Sequence, residues 1–273
     1  MPYEFERGRI YRMPTHFGPA PGPRQMPGDA PTDSTRSPQK TLITASFLTE
    51  ASALERHTPE RLQLAGEPMV TIEFHYMSNI DWLAGRGYTM IQLWWPVVFN
   101  GERDRATGRF LAVMWENLAD PIITGRGEVG QPKLFAEIPD SRVTDGTYHC
   151  VASWMGFQFL EVRVTEAALQ SPPVQAPELE GTLMLKYIPR TGEWGETEVH
   201  QITFTPVATP DLTVEWRKPA TGTIAFRRAA WADLPTMYHV VNALAELPVL
   251  ATCGASIART RGGKSYRDTR ILK

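Results

Sequence analysis

The chain has 273 residues, 42% of them hydrophobic and 21% charged, with a formal net charge of -2 at pH 7. That length buries a sizeable core in one large domain or two modest ones. The near-neutral balance excludes a whole-molecule electrostatic pull towards nucleic acid or an anionic membrane.

The first residues, MPYEFERGRIYRMP, lack the apolar run of a secretory signal, and no stretch is apolar for long enough to span a bilayer as a helix. Residues 1–38 form a Pro- and Gly-rich segment that includes Pro14, Pro19, Pro21, Pro23, Pro27, Pro31 and Pro38. It cannot propagate a helix and offers little apolar surface, so it reads as an extended arm, loose or wrapped over a neighbour. From residue 41 short-period apolar residues predict strands, first over 41–47. Ser52 with Glu55 three residues on has the form of a capping box and predicts a helix to Arg61. Residues 69–76 alternate apolar and polar as a half-buried strand does. Strands follow over 91–99 and 110–115 with a turn over 100–109, then over 148–154, 157–164, 181–188, 198–205, 213–217 and 222–227. One helix is indicated after Leu134 and a second from Leu234 to Leu247. The basic end, 259–273, reads as a solvated tail. These elements make one α+β domain over 39–258, mainly antiparallel β with a few helices.

Cys150 and Cys253 stand far apart, which supports neither a disulfide framework nor a zinc site and fits reduced thiols in the cytoplasm. No two of the six histidines have metal-ligand spacing, so no metal is expected. Residues 125–130 match GxGxxG by count, but Pro132 works against the helix that a dinucleotide loop opens, and no cofactor is expected. Lys133 lies between Pro132 and the apolar pair Leu134 and Phe135. A lysine drawn out of water loses its proton more easily, and a neutral amine attacks a ketone to form an iminium, an electron sink. The same local pattern also suits an ordinary surface lysine.

Five motifs in order add to that reading. They are Pro96-Val-Val-Phe-Asn-Gly, Gly125-Arg126 with Pro132-Lys133, Met155-Gly-Phe, Met184-Leu-Lys-Tyr-Ile-Pro, and Phe226 to Pro235 ending Asp-Leu-Pro. Together they resemble the acetoacetate decarboxylase family over about residues 40–250. The resemblance implies that family's β-barrel or double-sheet fold with peripheral helices, a Schiff-base lysine at Lys133, and a homo-oligomer. It also implies a retained carboxylate at Glu73, a basic companion at Lys40 and a substrate-binding Arg126. The chain departs from the family's decarboxylases in two places: Leu134 stands where a second lysine follows, and Met90 stands where a glutamate lies. Tyr88, Met90 and Gln92 share a strand face; Tyr88, Glu73 and Gln92 are the candidate donors beside Lys133, Gln92 as a hydrogen-bonding group that cannot transfer a proton. Met90 and Trp94 are expected to shape the substrate site. Relatives sharing these departures include aldolase–dehydratases. The implied chemistry is therefore condensation and dehydration of a pyruvate-type keto acid with an aldehyde. Decarboxylation of a β-keto acid, or non-catalytic binding of a small carboxylate, are the alternatives.

Overall fold

The computed structural model describes residues 4–20, 22, 26–29, 33–168, 177–207, 212–263, 266 and 268–273. In chain order the elements begin with β1 (Gln39–Leu48), α1 (Ala51–Glu55), β2 (Leu62–Leu64) and β3 (Met69–Ser78). β4 (Thr89–Asn100), β5 (Arg105–Glu116), α2 (Ala119–Val129) and β6 (Lys133–Phe135) follow. After these come β7 (Arg142–Thr144), β8 (Thr147–Trp154), β9 (Phe157–Glu166), β10 (Gly181–Pro189) and β11 (Thr197–Pro206). The chain closes with β12 (Thr213–Phe226), α3 (Tyr238–Ala245), β13 (Ala251–Arg261) and β14 (Arg270–Ile271).

All the strands join one sheet. Its order is β14-β11-β10-β5-β4-β3-β1-β13-β12-β9-β8-β7, with β2 on β4 and β6 on β5. Every named pairing is antiparallel except those of β5 with β10 and with β6. The path is open, and a bridge between Glu137 and Ser153 ties β8 to the segment after β6.

Alternation explains how this sheet carries both a core and a site. On one face Ile43 and Ala45 of β1, Ile72 and Phe74 of β3, and Leu93 and Trp95 of β4 enter the main apolar core. The opposite residues, Lys40 and Leu42, Glu73 and His75, Met90 and Gln92, line a cavity. β3 is therefore buried on both faces from Met69 to His75, not half-buried as its alternation suggests, because its second face looks into the cavity and not into open solvent.

Several boundaries differ from those read in the sequence, each for a local reason. α1 stops at Glu55 and is capped by Glu50 without a side-chain hydrogen bond, so Ser52 lies inside it. Pro59 forbids the residue before it from continuing a helix. The strands predicted over 213–217 and 222–227 are one, β12. It changes partner from β13 to β9 at Ala220, beside Pro219. The helix expected after Leu134 lies before it instead, as α2. Gly125 and Gly127 weaken the helical signal there. α3 starts only at Tyr238, beyond Pro235.

The basic end is not a tail from 259 onwards. Arg259 and Arg261 belong to β13 and pair with β1, Leu272 is 1% exposed, and the Lys273 carbonyl accepts the N–H groups of Arg103 and Asp104. Lys264 and Arg267 lie outside the described residues, as do Pro21, Pro23 and Pro31 of the arm. What is described of the arm folds onto its own chain: Arg12 pairs with Glu128 of α2, and Asp81 donates its N–H to Ser37 Oγ.

Candidate active site

The cavity on the second face has a volume of about 590 Å³. Strand register sets out its floor. Glu73 of β3, Gln92 of β4, Met114 of β5 and Lys133 of β6 are successive partners, forming one row across four strands. His75, Met90 and Glu116 form the next row. Glu116 stands two residues beyond Met114 on the same strand face.

Lys133 is 5% exposed and Glu116 is fully buried. The ε-nitrogen lies 2.9 Å from Glu116 Oε1 and donates to the Pro121 carbonyl at 2.9 Å. Glu116 Oε2 has no hydrogen-bond partner among the described residues. Burial pushes the Glu116 carboxyl up, against the pull of Lys133. The roof is α2. A Cβ on Gly125 would lie 2.7 Å from Lys133 Nζ and 2.3 Å from Gln131 Oε1, so only glycine leaves room for the amine under the helix. Pro121 sits in the first turn of α2, where its missing N–H costs nothing, and its carbonyl faces the amine.

Across the cavity lies a second polar group. Glu73 Oε2 is 3.4 Å from His75 Nε2 and 3.6 Å from Arg109 Nη1, and the Arg109 guanidinium sits 5.0 Å above the Trp94 ring. Burial works to raise the Glu73 carboxyl, but the His75 hydrogen bond and the Arg109 charge outweigh it and hold it at about 2. Burial pushes His75 down, against the pull of Glu73. Burial also lowers Lys40, partly offset by Glu73. Tyr88 is half-buried on the wall, and burial together with the nearby Glu116 carboxylate raises its phenol well above the usual value.

The structure thus gathers Lys133, Glu73, Gln92, Tyr88, Lys40 and Met90 around one cavity. Two expected substrate contacts are corrected. Arg126 is exposed, does not line the cavity, and donates to the Lys133 carbonyl at 2.8 Å; it lies on the outer side of α2 and ties down the lysine's backbone. Trp94 is buried beneath Arg109 and supports that side chain without lining the cavity. Glu128 of α2 also lines the cavity and pairs with Arg12.

Glu116, His75 and Arg109 were missed by sequence reasoning. A signal existed for the first two. Glu116 ends an apolar strand on the face of Met114, and His75 lies two residues from Glu73 on one face. Arg109 fell within the turn predicted over 100–109, whereas β5 already begins at Arg105. Among the described residues no group of three or more His, Cys, Asp or Glu side chains is arranged to hold a metal ion, and no helix is long and apolar enough to cross a membrane.

Comparison with known proteins adds three findings. The family model described as acetoacetate decarboxylase matches residues 12–262. A search of curated protein sequences finds no match. Among solved structures, acetoacetate decarboxylase from Legionella pneumophila subsp. pneumophila str. Philadelphia 1 is similar, with a TM-score of 0.67 and 19% identity, over 86% of this chain and 87% of that one. The enduracididine biosynthesis enzyme MppR, solved with pyruvate, is similar with a TM-score of 0.62 and 18% identity, over 91% and 95%. An acetoacetate decarboxylase-like enzyme from Sphingomonas wittichii RW1 gives a TM-score of 0.60 and 15% identity, over 86% and 91%.

Proposed function

This chain belongs to the acetoacetate decarboxylase family, and from that premise we propose that it is a lyase whose Lys133 forms a Schiff base with a pyruvate-type keto acid and condenses it with an aldehyde, with loss of water. The observation that carries this reading is the buried pair of Lys133 and Glu116, 2.9 Å apart at the dry end of the cavity. Burial disfavours two separated charges and pushes the Glu116 carboxyl up, and on this reading the carboxyl takes the proton of the pair and frees the amine to attack.

The first step then balances without outside charge. The amine attacks the ketone carbon. The ketone oxygen leaves as water, taking one proton from the nitrogen and one from Glu116. The products are a protonated iminium and a Glu116 carboxylate that compensates it. Loss of a methyl proton from the pyruvate-derived iminium gives the enamine, and Glu116 Oε2, without a hydrogen-bond partner, is placed to accept that proton. The enamine carbon adds to the aldehyde. Tyr88, whose phenol is protonated at rest, gives its proton to the aldehyde oxygen and recovers it from Glu116. Glu116 then takes the second proton of the same carbon, the hydroxyl leaves as water with the Tyr88 proton, and Glu116 again restores the phenol. Water added to the iminium carbon releases the product, the free amine and the protonated Glu116. Gln92, in the row between Glu73 and Lys133, donates a hydrogen bond to the keto acid but cannot transfer a proton.

Two supports favour condensation over decarboxylation. Met90, an apolar side chain, lines the cavity where the resembled decarboxylases carry a glutamate, and the similar enzyme MppR has been solved with the condensation product of pyruvate and imidazole 4-carboxaldehyde. The test is to supply pyruvate with an aromatic aldehyde and follow ultraviolet absorbance of the conjugated product, and separately to supply acetoacetate and follow carbon dioxide. Product with pyruvate and aldehyde is expected. Rapid carbon dioxide release without condensation would instead establish the β-keto acid decarboxylase, and the absence of both would leave a carboxylate-binding protein.

A further inference from the structure

The cavity is far larger than a three-carbon keto acid needs. A molecule of about six heavy atoms, at roughly 20–30 Å³ each on the scale of water in the liquid, fills on the order of 150 Å³, against about 590 Å³ here. The rest is not featureless. Leu111, Met114 and Met184 line its middle and belong to an apolar cluster separate from the main core. Beyond them stands the far polar end, where Lys40 and Arg109 face the Glu73 carboxylate. Lys40 has no hydrogen bond or ion pair among the described residues. His75 is 8% exposed and lines the cavity, and its Nδ1 is buried without a hydrogen-bond partner. The ionised Glu73 beside Nε2 fixes the proton on that nitrogen, so Nδ1 is a bare acceptor.

Register fixes how far this end lies from the chemistry. His75 is opposite Met90, and Met90 is opposite Glu116; two strand spacings make roughly 10 Å. Lys133 stands on β6 and its amine reaches one strand across, to Glu116 of β5, which leaves those two spacings between the chemistry and the far end on β3.

We propose that the far end is a second subsite, in which Arg109 and Lys40 receive a carboxylate carried by the acceptor aldehyde, so that the condensed product spans the cavity with a keto end on Lys133, an apolar middle and an acidic far end. This rests on the Schiff-base reading of Lys133, and it names the acceptor class: aldehydes with an apolar body, aliphatic or aromatic, ending in a carboxylate. Arg109, held over Trp94, supplies the charged fork, and the methionines allow bodies of different shape.

The experiment is reductive trapping with cyanoborohydride across a series of methyl-ketone acids that mimic the span, 4-oxopentanoate, 6-oxoheptanoate and 8-oxononanoate, each beside its methyl ester. A chain of about seven bonds reaches on the order of 9 Å. The longer acids are expected to half-saturate at concentrations about tenfold lower than 4-oxopentanoate and about tenfold lower than their own esters. In Arg109→Met, and separately in Lys40→Met, the acid-over-ester ratio of 8-oxononanoate is expected to collapse towards one. Trapping that ignores chain length and esterification in the unaltered protein overturns the second subsite while leaving Lys133 as the nucleophile. Trapping of no ketone at all overturns both.

Discussion

The two ends of the cavity use the same kinds of residue to opposite effect. At one end a single lysine and a single glutamate are sealed together, Glu116 fully buried and Lys133 5% exposed, and burial raises the carboxyl. At the other, Glu73 is almost as buried, at 8%, yet its carboxyl is held at about 2, because His75 and Arg109 converge on it against the effect of burial. Burial alone therefore does not decide which carboxylate holds a proton; the number of partners brought to it does. On the proposed mechanism the first arrangement stores a transferable proton beside the amine, whereas the second keeps its charge and orients its neighbours.

The comparison breaks most sharply at Glu116. Glu116→Gln removes both the proton for the departing water and the counter-charge of the iminium, and kcat for condensation is expected to fall about 10²- to 10³-fold, read by steady-state kinetics. At the other end the expected effect falls on stability. The Glu73 carboxyl is depressed from 4.5 to about 2, so its contribution is fully present above the unfolded value near 4.5 and is lost as pH falls through about 2. That contribution is ~3 kcal/mol, about 10² in the folding equilibrium. Glu73→Gln is expected to flatten the decline in stability between pH 4.5 and 2, read from urea midpoints across that range. An unchanged decline would mean that Glu73 is not the low-titrating group.

Gly125→Ala sharpens the contrast by crowding one end only. Its Cβ would approach Lys133 Nζ to 2.7 Å, so the rate of trapping at Lys133 is expected to fall roughly 10- to 100-fold through misplacement of the amine. Helix propensity favours the substitution by about 1 kcal/mol, so global unfolding would not explain such a loss. The smallest effect belongs to Arg126→Ala. It removes the hydrogen bond to the Lys133 carbonyl, worth ~1 kcal/mol, and about a fivefold lower kcat is expected with little change in KM.

The row from Glu73 through Gln92 to Lys133 shows how much of this was legible in the sequence. Period-two alternation marks β3 and β4, and it orders the side chains on one face; the motifs around Lys133 mark the proposed nucleophile. What alternation along one strand does not specify is register between strands. The meeting of His75, Met90 and Glu116 depends on how β3, β4 and β5 are aligned, and β5 carries an irregularity opposite Leu93 and Trp94 that shifts its faces. No helix is read over the segment with Gly125 and Arg126, because its glycines obscure one that packing enforces, so the face of α2 that Arg126 takes was not legible. The basic residues beyond 258 looked solvated because charge was weighed without the sheet partners of β13.

The central claim is that the Lys133 amine is a nucleophile towards keto acids. Incubation with pyruvate and borohydride, followed by peptide mass spectrometry, tests it most directly. A single reduced adduct on Lys133, absent from Lys133→Ala together with all turnover, is the predicted result. No adduct, an adduct on another lysine, or a Lys133→Ala enzyme that still turns over would contradict it.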